Sequence, residues 1–240
     1  TFKLITAAAA LEENTTSLDS HYYCNGFVRD IKGSKPLKCV RWYNPHGSQS
    51  LREAMNNSCN VAFVNIAREL GKENLLKYIR GFGFGEKTNI DLLGEQVGII
   101  PANADRIREI NLATMSYGHG IAITPIQLLN AVATMANGGD LMKPRIVKEM
   151  IDENGELVNK IDPKVVRKVI SKKTSDTILS LMETVVSDGS GSRAGVDGYR
   201  IGGKTGTAQK VGDKGYEPGK YIASFVGVAP IDDPQFAILV

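Results

Sequence analysis

The sequence has little of several features that would mark a specialised class of protein. Its 240 residues contain one tryptophan, three cysteines and three histidines. No apolar run reaches the roughly 20 residues that a membrane-spanning helix needs, and no secretory signal pattern opens the chain. Lys and Arg (29) exceed Asp and Glu (26) by only three, too small a charge to predict binding to nucleic acid or to a membrane surface. A transmembrane bundle, a collagen and a coiled coil are excluded.

The composition is that of an ordinary globular protein, and both ends of the sequence resemble the interior of a longer chain. Hydrophobic residues make up 42% and charged residues 23% of the chain, which predicts a real core. The first eleven residues are apolar on nearly every face of a helix. They predict a buried helix that begins before Thr1. The last six predict a strand in mid-course. We expect an internal fragment of a longer protein, so the lack of a signal or anchor segment says nothing about its compartment.

Helical patterns dominate the first part of the chain and strand patterns the second. Ser50 and Glu53 have the spacing of a capping box and predict a short helix to about Asn56. Further helices are predicted at residues 61–70, 105–115, 125–135 and 171–186, with a polar loop over 14–47. A hairpin around 152–155 and strands at 203–209, 221–228 and 235–240 are predicted too, with a polar loop over 210–219.

This order of elements predicts an α+β fold. We expect a single domain over residues 1–240. Its mainly helical part, with the active-site loops, covers about 1–165, and a helix plus antiparallel strands cover about 166–240.

The most distinct chemical pattern is Lys204-Thr205-Gly206, followed by Thr207, on a predicted strand. Lys204 could hold a carboxylate or tune a nearby hydroxyl, and Gly206 removes a side chain where a ligand could lie along the strand edge. The alternative is an ordinary edge strand with a solvated lysine.

Two weaker patterns precede it. In Ser58-Cys59-Asn60, a hydroxyl and an amide two residues apart can face one pocket, although Asn60 is also a good helix N-cap. Lys3 lies in the first turn of a buried helix, where a desolvated lysine with a lowered pKa can act as a base. Its nucleophile would lie one helical turn earlier, at the position before Thr1.

In this order, the three patterns resemble the Ser-x-x-Lys, Ser-x-Asn and Lys-Thr-Gly set of penicillin-binding proteins and class A β-lactamases. Thr1-Phe2-Lys3 is similar to the end of a Ser-Thr-Phe-Lys motif, and residues 115–127 and 223–227 are similar to segments of class B penicillin-binding proteins. The resemblance runs through essentially the whole chain. It implies a nucleophilic serine immediately before Thr1, and without that residue the chain as written cannot perform the reaction.

The resemblance implies a penicillin-binding-protein/β-lactamase-like fold, with an antiparallel sheet packed by helices beside a mainly helical subdomain. It implies a D,D-transpeptidase that cross-links peptidoglycan stem peptides through an acyl-enzyme and is covalently inhibited by β-lactams. By this resemblance Lys3 takes the proton of the nucleophile, Ser58 relays a proton to the leaving amine, and Asn60 fixes Lys3 and the substrate amide.

The same resemblance assigns the remaining site residues and the partners. Lys204 would support Ser58, and Thr205 and Thr207 would bind the terminal carboxylate beside Gly206. Catalysis would need no cofactor. The partners would be stem peptides, β-lactams, a glycan-polymerising enzyme and other cell-wall synthesis proteins. The catalytic domain would lie outside the bacterial cytoplasm, on a membrane anchor outside this chain, in division, elongation or sporulation.

The cysteines raise a separate question. Cys24, Cys39, His46 and Cys59 have the composition of a Cys₃His zinc site, and His21 could replace one ligand. The spacings are long, and Cys59 falls inside the second motif, so a structural metal would lie beside the active site. One disulfide with a free thiol, or three unrelated core residues, are the alternatives.

Two other functions fit parts of the pattern. A D,D-carboxypeptidase or a β-lactamase would have the same fold, but no segment resembles the glutamate-bearing loop that a class A β-lactamase needs. A non-catalytic β-lactam or cell-wall sensor would have a degenerate site, and the intact Lys3, Ser58, Asn60 and Lys204 argue against it.

Overall fold

The computed structural model describes residues 1–212 and 215–240. In these residues, the α-helices are α1 (Lys3–Glu12), α2 (Leu51–Asn56), α3 (Asn60–Leu70), α4 (Lys72–Gly81), α5 (Glu109–Met115), α6 (Pro125–Ala136) and α7 (Lys172–Ser187). The strands are β1 (His21–Cys24), β2 (Phe27–Val28), β3 (Leu37–Lys38), β4 (Gly47–Ser50), β5 (Asp140–Met142), β6 (Glu149–Ile151), β7 (Leu157–Lys160), β8 (Val165–Lys168), β9 (Gly202–Gly212), β10 (Gly215–Ala229) and β11 (Phe236–Leu239). The mixture of helices and antiparallel sheets confirms the α+β prediction.

Helix α1 lies in the centre of the core. Its residues 3–10 are all buried, and the run of four alanines lets neighbouring helices approach closely. The helix packs against α3, α4 and α7, which confirms the predicted buried helix. Its burial carries Lys3 into the interior. Lys3 and Lys204 are the two lysines that are buried among the described residues.

Helices α2 and α3 meet at a sharp turn that the sequence predicted in part. Ser50 and Glu53 form both halves of the capping box, and α2 ends at Asn56 as predicted. The predicted N-cap of α3 is wrong: Cys59 is the cap, its sulfur accepts a hydrogen bond from Ala62 N, and Asn60 is the first helical residue. Asn60 therefore has its side chain available for other contacts.

The predicted strands at the end of the chain form a three-stranded antiparallel sheet in the order β11-β10-β9. Lys204 lies opposite Val226 and Thr205 opposite Phe225 in this sheet. The face that carries Val226 and Val228 is buried, and the sheet packs against α6 and α7. Strand β9 is at the edge, so its outer side is open to a ligand.

Several boundaries differ from the sequence prediction. The polar stretch 14–47 contains β1 to β3, and β1 pairs with β4 from His21 opposite Ser50 to Cys24 opposite Gly47. Short polar strands lack the apolar alternation that identifies a strand. Helix α4 was not predicted, because Gly71 ends α3 and the next helix begins at once.

The predicted loop 210–219 is also shorter than expected. Strand β9 continues to Gly212 and β10 begins at Gly215, with a register shift between Tyr216 and Tyr221. Residues 213 and 214 of this predicted loop lie outside the described residues. Backbone pairing can extend past the packed part of a hairpin without an apolar pattern, which explains the difference. Across the described ranges, each helix is too short or too polar to cross a membrane.

Candidate active site

Lys3 is the centre of a polar cluster at the start of α1. Its side chain is buried, and its Nζ donates hydrogen bonds to Asn60 Oδ1 at 2.8 Å and to Ser58 Oγ at 3.2 Å. The rings of Phe63 and Tyr117 lie 5.8 and 5.7 Å from this ammonium. Burial lowers the pKa of Lys3 from 10.5 to about 8, so a substantial neutral fraction exists near physiological pH. A lysine in this state can exchange a proton with a nearby hydroxyl.

The turn between α2 and α3 presents Ser58 to that lysine. Ser58 has a φ of +51°, a left-handed conformation that is uncommon for a residue with a side chain. Asn57 fixes the turn because its Nδ2 donates to Gln49 Oε1 at 3.2 Å. On the other side of Ser58, Asn60 uses both ends of its amide: Oδ1 accepts from Lys3, and Nδ2 donates to Lys38 O at 3.1 Å.

Lys204 supplies a second buried cation from β9. The side chain is fully buried, and its Nζ donates to Thr205 Oγ1 at 3.2 Å and Thr205 O at 3.3 Å. The alternative of a solvated edge lysine is therefore wrong. Burial first, and then the charge of Lys3, lower the pKa of Lys204 to about 7. Its contacts go to Thr205 rather than to Ser58, the residue that the resemblance predicted it would support.

The start of α1 lies directly against the Lys-Thr-Gly strand. Thr1 N donates to Thr205 O at 3.1 Å. A Cβ on Gly206 would lie 2.5 Å from Ser224 Oγ and 3.0 Å from Thr1 N. The structure therefore requires glycine at this position for the close approach of the chain itself, in addition to any space it leaves for a ligand. The first and third motifs meet at this contact.

A groove of about 890 Å³ opens beside this contact. One wall is the segment from Tyr117 to Ile126 that follows α5, and the other is the outer side of β9 with β10. The groove holds Gly206 and the exposed Thr207. Tyr117 and His119 pack edge to face with ring centroids 5.2 Å apart. Burial, and then the charge of Lys3, lower the pKa of His119, so this ring adds no positive charge near neutral pH.

Sequence reasoning missed Ser190, in the loop after α7. Its Oγ lies 3.1 Å from Thr205 Oγ1, and its backbone N donates to Asn56 O at 3.1 Å. The loop comes this close because its neighbours are glycines: a Cβ on Gly189 would lie 2.9 Å from Val185 backbone atoms. The Gly-Ser-Gly pattern was the available signal, although many flexible loops contain it.

The residues of the predicted Cys₃His set come together beside the Ser58 turn. The candidate ligand atoms of Cys24, Cys39, His46 and Cys59 all lie within 4.8 Å of one another. The Cys39 sulfur is 3.7 Å from both the Cys59 sulfur and His46 Nδ1. All three cysteines are free, so neither a disulfide nor three unrelated core residues describes this arrangement. His21 lies outside it, exposed, with its Nδ1 2.9 Å from Asp19 O.

The pKa values of the Cys39 and Cys59 thiols are shifted in opposite directions. The Cys59 thiol lowers the pKa of Cys39 to about 4 through its hydrogen bond, and the pKa of Cys59 is raised in turn. His46 Nε2 is buried without a hydrogen-bond partner among the described atoms. A buried cluster that favours a thiolate and orients an imidazole is a suitable set of donors for a metal cation.

Comparison with known proteins identifies the family. Residues 1–240 match the model of the penicillin binding protein transpeptidase domain, and the chain belongs to this family. Stage V sporulation protein D of Bacillus subtilis is 45% identical over 241 residues, which are 100% of this chain and 37% of that protein. Peptidoglycan D,D-transpeptidase FtsI of Escherichia coli K12 is 35% identical over 193 residues, 80% of this chain and 31% of that protein.

Solved structures agree with this assignment. Penicillin binding protein 3 of Mycobacterium tuberculosis superimposes with a TM-score of 0.89 at 27% identity, covering 99% of this chain and 54% of that one. A complex of the same protein with aztreonam gives the same values. The resemblance to class B penicillin-binding proteins drawn from the motifs, and the fold it implied, are confirmed. The chain spans about a third of the length of these curated relatives.

Proposed function

We propose that this protein is a serine D,D-transpeptidase that cross-links peptidoglycan stem peptides through an acyl-enzyme. The observation that carries the proposal is the contact of the buried Lys3 Nζ with both Ser58 Oγ and Asn60 Oδ1. A lysine with a pKa of about 8 next to a hydroxyl forms a route for protons between a nucleophile and a leaving amine. The names of the relatives, which include peptidoglycan D,D-transpeptidase, support this reaction.

In the first half of the reaction, a serine immediately before Thr1 attacks the carbonyl between two terminal D-Ala residues. Neutral Lys3 accepts the proton of that serine. Ser58 then relays a proton to the departing amine, so the D-Ala leaves as the acyl-enzyme forms. Asn60 holds Lys3 in place and offers its amide to the substrate. In the second half, an amine of another stem peptide takes the acyl group, and the same proton route runs in reverse.

The β9 side of the groove recognises the substrate. Thr205 and Thr207 bind the terminal carboxylate beside Gly206, and the positive charge of Lys204 attracts it. A backbone N–H near Thr207, together with that of the nucleophile, stabilises the oxyanion. One such donor contributes about 3 kcal/mol to transition-state stabilisation. A β-lactam reaches the same site as a mimic of the dipeptide and leaves a slowly hydrolysed acyl-enzyme. The reaction needs no cofactor.

The partners and cellular location of the domain are proposed by analogy with its relatives. Residues 1–240 act as one transpeptidase domain, with a mainly helical part to about residue 165 and the helix and strands after it. Its partners are a glycan-polymerising enzyme and other wall-synthesis proteins, at the outer side of a bacterial membrane, in division or sporulation. The name of the Bacillus subtilis relative, stage V sporulation protein D, supports the sporulation setting.

The test is the intact mass of a form of the protein that includes the residue before Thr1, measured before and after benzylpenicillin. We expect one stoichiometric adduct on that residue, returning slowly to the free mass. Lys3→Met, which is close in volume, should fold and form the adduct far more slowly. Rapid turnover of the adduct would indicate a β-lactamase instead. A folded protein without any adduct would refute the acyl-transfer site.

We also propose that Cys24, Cys39, His46 and Cys59 hold a structural Zn²⁺ ion. In a tetrahedral site with Zn–S bonds of about 2.3 Å, ligand atoms lie roughly 3.8 Å apart. The separations of 3.7 Å around the Cys39 sulfur support this geometry. Zn²⁺ would cross-link β1, the segment 39–46 and the start of α3. These cross-links would hold the Ser58 turn in place.

The metal content of the purified protein tests this proposal. We expect one zinc per chain, and Cys24→Ser should lower both the zinc content and the thermal stability. His21→Ala is the control, because His21 lies outside the cluster, and it should retain the zinc. Wild-type protein that is folded, free of zinc and indifferent to added Zn²⁺ would refute the site.

A further inference from the structure

A cluster of aromatic rings stands on the surface next to the candidate active site. Phe27, Trp42 and Tyr43 form it, and we call it the aromatic platform. The Phe27 and Trp42 ring centroids lie 5.9 Å apart, and Tyr43 meets Trp42 edge to face, also at 5.9 Å. Trp42 is 46% exposed and Tyr43 is 73% exposed. Large aromatic side chains that remain this exposed in a group mark a binding surface more often than an isolated apolar residue does.

Cations surround these rings. The Arg29 guanidinium lies 4.1 Å from the Phe27 ring centroid, and Lys38 Nζ lies 4.9 Å from that of Trp42. Residues 26–46 contain five Lys or Arg and a single acid, Asp30, so this segment alone has a net charge of +4 while the whole chain has +3. Asp30 is paired with Arg68, which leaves the platform basic. The surface is therefore complementary to a ligand that combines apolar faces with negative charge.

The platform has a fixed base. Cys39 N donates to Gly26 O at 2.9 Å, and Gly26, with a φ of +93°, leaves room where a Cβ would lie 2.7 Å from Trp42 O. Trp42 and Tyr43 lie in the segment between Cys39 and His46. The Cys39 sulfur and His46 Nδ1 are 3.7 Å apart, so the two ends of this segment meet. The rings are thus displayed from a closed loop and need little ordering to bind a ligand.

The platform is linked to the catalytic cluster through Lys38. Lys38, whose ammonium lies over Trp42, has its carbonyl bonded to Asn60 Nδ2 at 3.1 Å, and Asn60 Oδ1 contacts Lys3. Two residues, Lys38 and Asn60, therefore lie between the platform and the proposed reacting centre. A polymeric substrate whose peptide end occupies the centre would extend over this neighbouring surface.

We propose that the aromatic platform binds the glycan strand of peptidoglycan beside the stem peptide that reacts. This inference rests on the proposed function and adds a second recognition site to it. Pyranose rings present C–H faces with a partial positive charge, and these stack on the negative faces of Trp42 and Tyr43. Carboxylates along the strand pair with Arg29 and Lys38. A membrane surface would suit aromatic and basic residues as well, but lipid at this place would cover the approach to Asn60 and Lys3.

The experiment measures binding through the intrinsic fluorescence of Trp42, the single tryptophan of this sequence. The difference in emission between wild type and Trp42→Phe isolates the platform signal. The probes are soluble uncross-linked peptidoglycan strands, the same strands after enzymatic removal of the stem peptides, the free stem peptide, and phosphatidylglycerol vesicles. We expect a saturable change with both kinds of strand, and none with the free peptide or the vesicles.

Variants assign the binding to the rings. Tyr43→Ala should weaken strand binding about tenfold, as expected for one lost aromatic stack, and its melting temperature should stay that of wild type because the side chain is mostly exposed. Tyr199→Ala removes another tyrosine, 68% exposed, far along the chain, and should bind the strands like wild type. The combination of Arg29→Ala and Lys38→Ala should reduce the affinity and its dependence on salt.

The outcomes separate this inference from the proposed function. If wild type forms the benzylpenicillin adduct but Tyr43→Ala binds strands as wild type does, the platform proposal is overturned and the transpeptidase proposal stands. A platform signal with vesicles and none with strands also overturns it. If strands bind through Tyr43 and no adduct forms, the glycan site is supported and the acyl-transfer site fails.

Discussion

Replacing Asn60 by alanine should shift the acid limb of the pH–rate profile to lower pH. The acid limb is the pH range over which the acylation rate rises. In the proposed mechanism Lys3 accepts a proton, so the reaction with benzylpenicillin requires the neutral amine. The pKa of about 8 for Lys3 then sets the pH through which the second-order acylation rate rises. Asn60 Oδ1 accepts from Lys3 Nζ at 2.8 Å, a contact that stabilises the charged form. Asn60→Ala removes this stabilisation and lowers the pKa.

The size of this shift follows from the general strength of such a hydrogen bond. A hydrogen bond to a charged group contributes about 1.5–3 kcal/mol, and each pKa unit corresponds to about 1.4 kcal/mol. The acid limb should therefore move from about 8 in wild type to about 6–7 in Asn60→Ala. The maximal rate should fall as well, because among the described residues the hydrogen bond to Ser58 Oγ is then the one that remains to position the amine.

The assay is the second-order rate constant of acylation between pH 5 and pH 9, in a form of the protein that contains the residue before Thr1. Asn57→Ala is the control for a disturbed turn, because Asn57 fixes the Ser58 turn through Gln49 rather than through Lys3. Its acid limb should stay at that of wild type. An acid limb in Asn60→Ala that stays near 8, in a protein with a normal melting curve, would show that Lys3 is not the titrating base.

Three further predictions concern the β9 side of the site. Lys204→Met should stabilise the fold by about 3–4 kcal/mol at pH 6. The pKa of Lys204 is lowered by the fold from its ordinary value of 10.5 to about 7. The buried charge therefore destabilises the folded protein most below pH 7. Urea unfolding should show that the stability gained by the substitution disappears as the pH rises towards 10.5. Ser190→Ala, which removes a partner of the Thr205 hydroxyl, should slow acylation by benzylpenicillin about fivefold and leave its methyl ester unaffected. Gly189→Ala should lower the free energy of unfolding by about 1–3 kcal/mol, because the new Cβ meets the Val185 backbone at 2.9 Å.

The predictions for Ser190 and Lys204 have outcomes that would contradict them. Ser192→Ala removes a hydroxyl from the same loop two residues away and should keep the acylation rate for both ligands. An equal loss for benzylpenicillin and its ester in Ser190→Ala would point to a general distortion instead. For Lys204→Met, a gain in stability that does not change between pH 6 and pH 10.5 would contradict the buried-charge explanation.

The sequence predicted the local parts of the site well because their signals are local. The capping box at Ser50 and the alanine-rich α1 depend on neighbouring residues, and both helices formed as expected. The burial and lowered pKa of Lys3 followed from one charged residue in an apolar helix. The meeting of the first and third motifs came from the family resemblance, since no local pattern brings Thr1 to Thr205 across more than 200 residues.

What could not be predicted depends on close approaches between distant segments. Ser190 reaches Thr205 because Gly189 packs against the end of α7, and a serine between glycines gives no sign of such a partner. The N-cap of α3 was assigned to Asn60 because asparagine is the better cap by propensity. The contacts of the Asn60 side chain with Lys3 and Lys38 O stabilise a different arrangement. Asn60 is the first residue of α3, and Cys59 is its N-cap.

The left-handed backbone of Ser58 restricts which amino acids evolution can place there. Glycine and asparagine adopt a φ of about +51° readily, but neither has a hydroxyl to carry a proton. Threonine has the hydroxyl, but its branched Cβ resists this conformation. Serine meets the chemical and the conformational demand together. A population exposed to a β-lactam would therefore find few viable variants at position 58, and resistance would have to arise at residues around it.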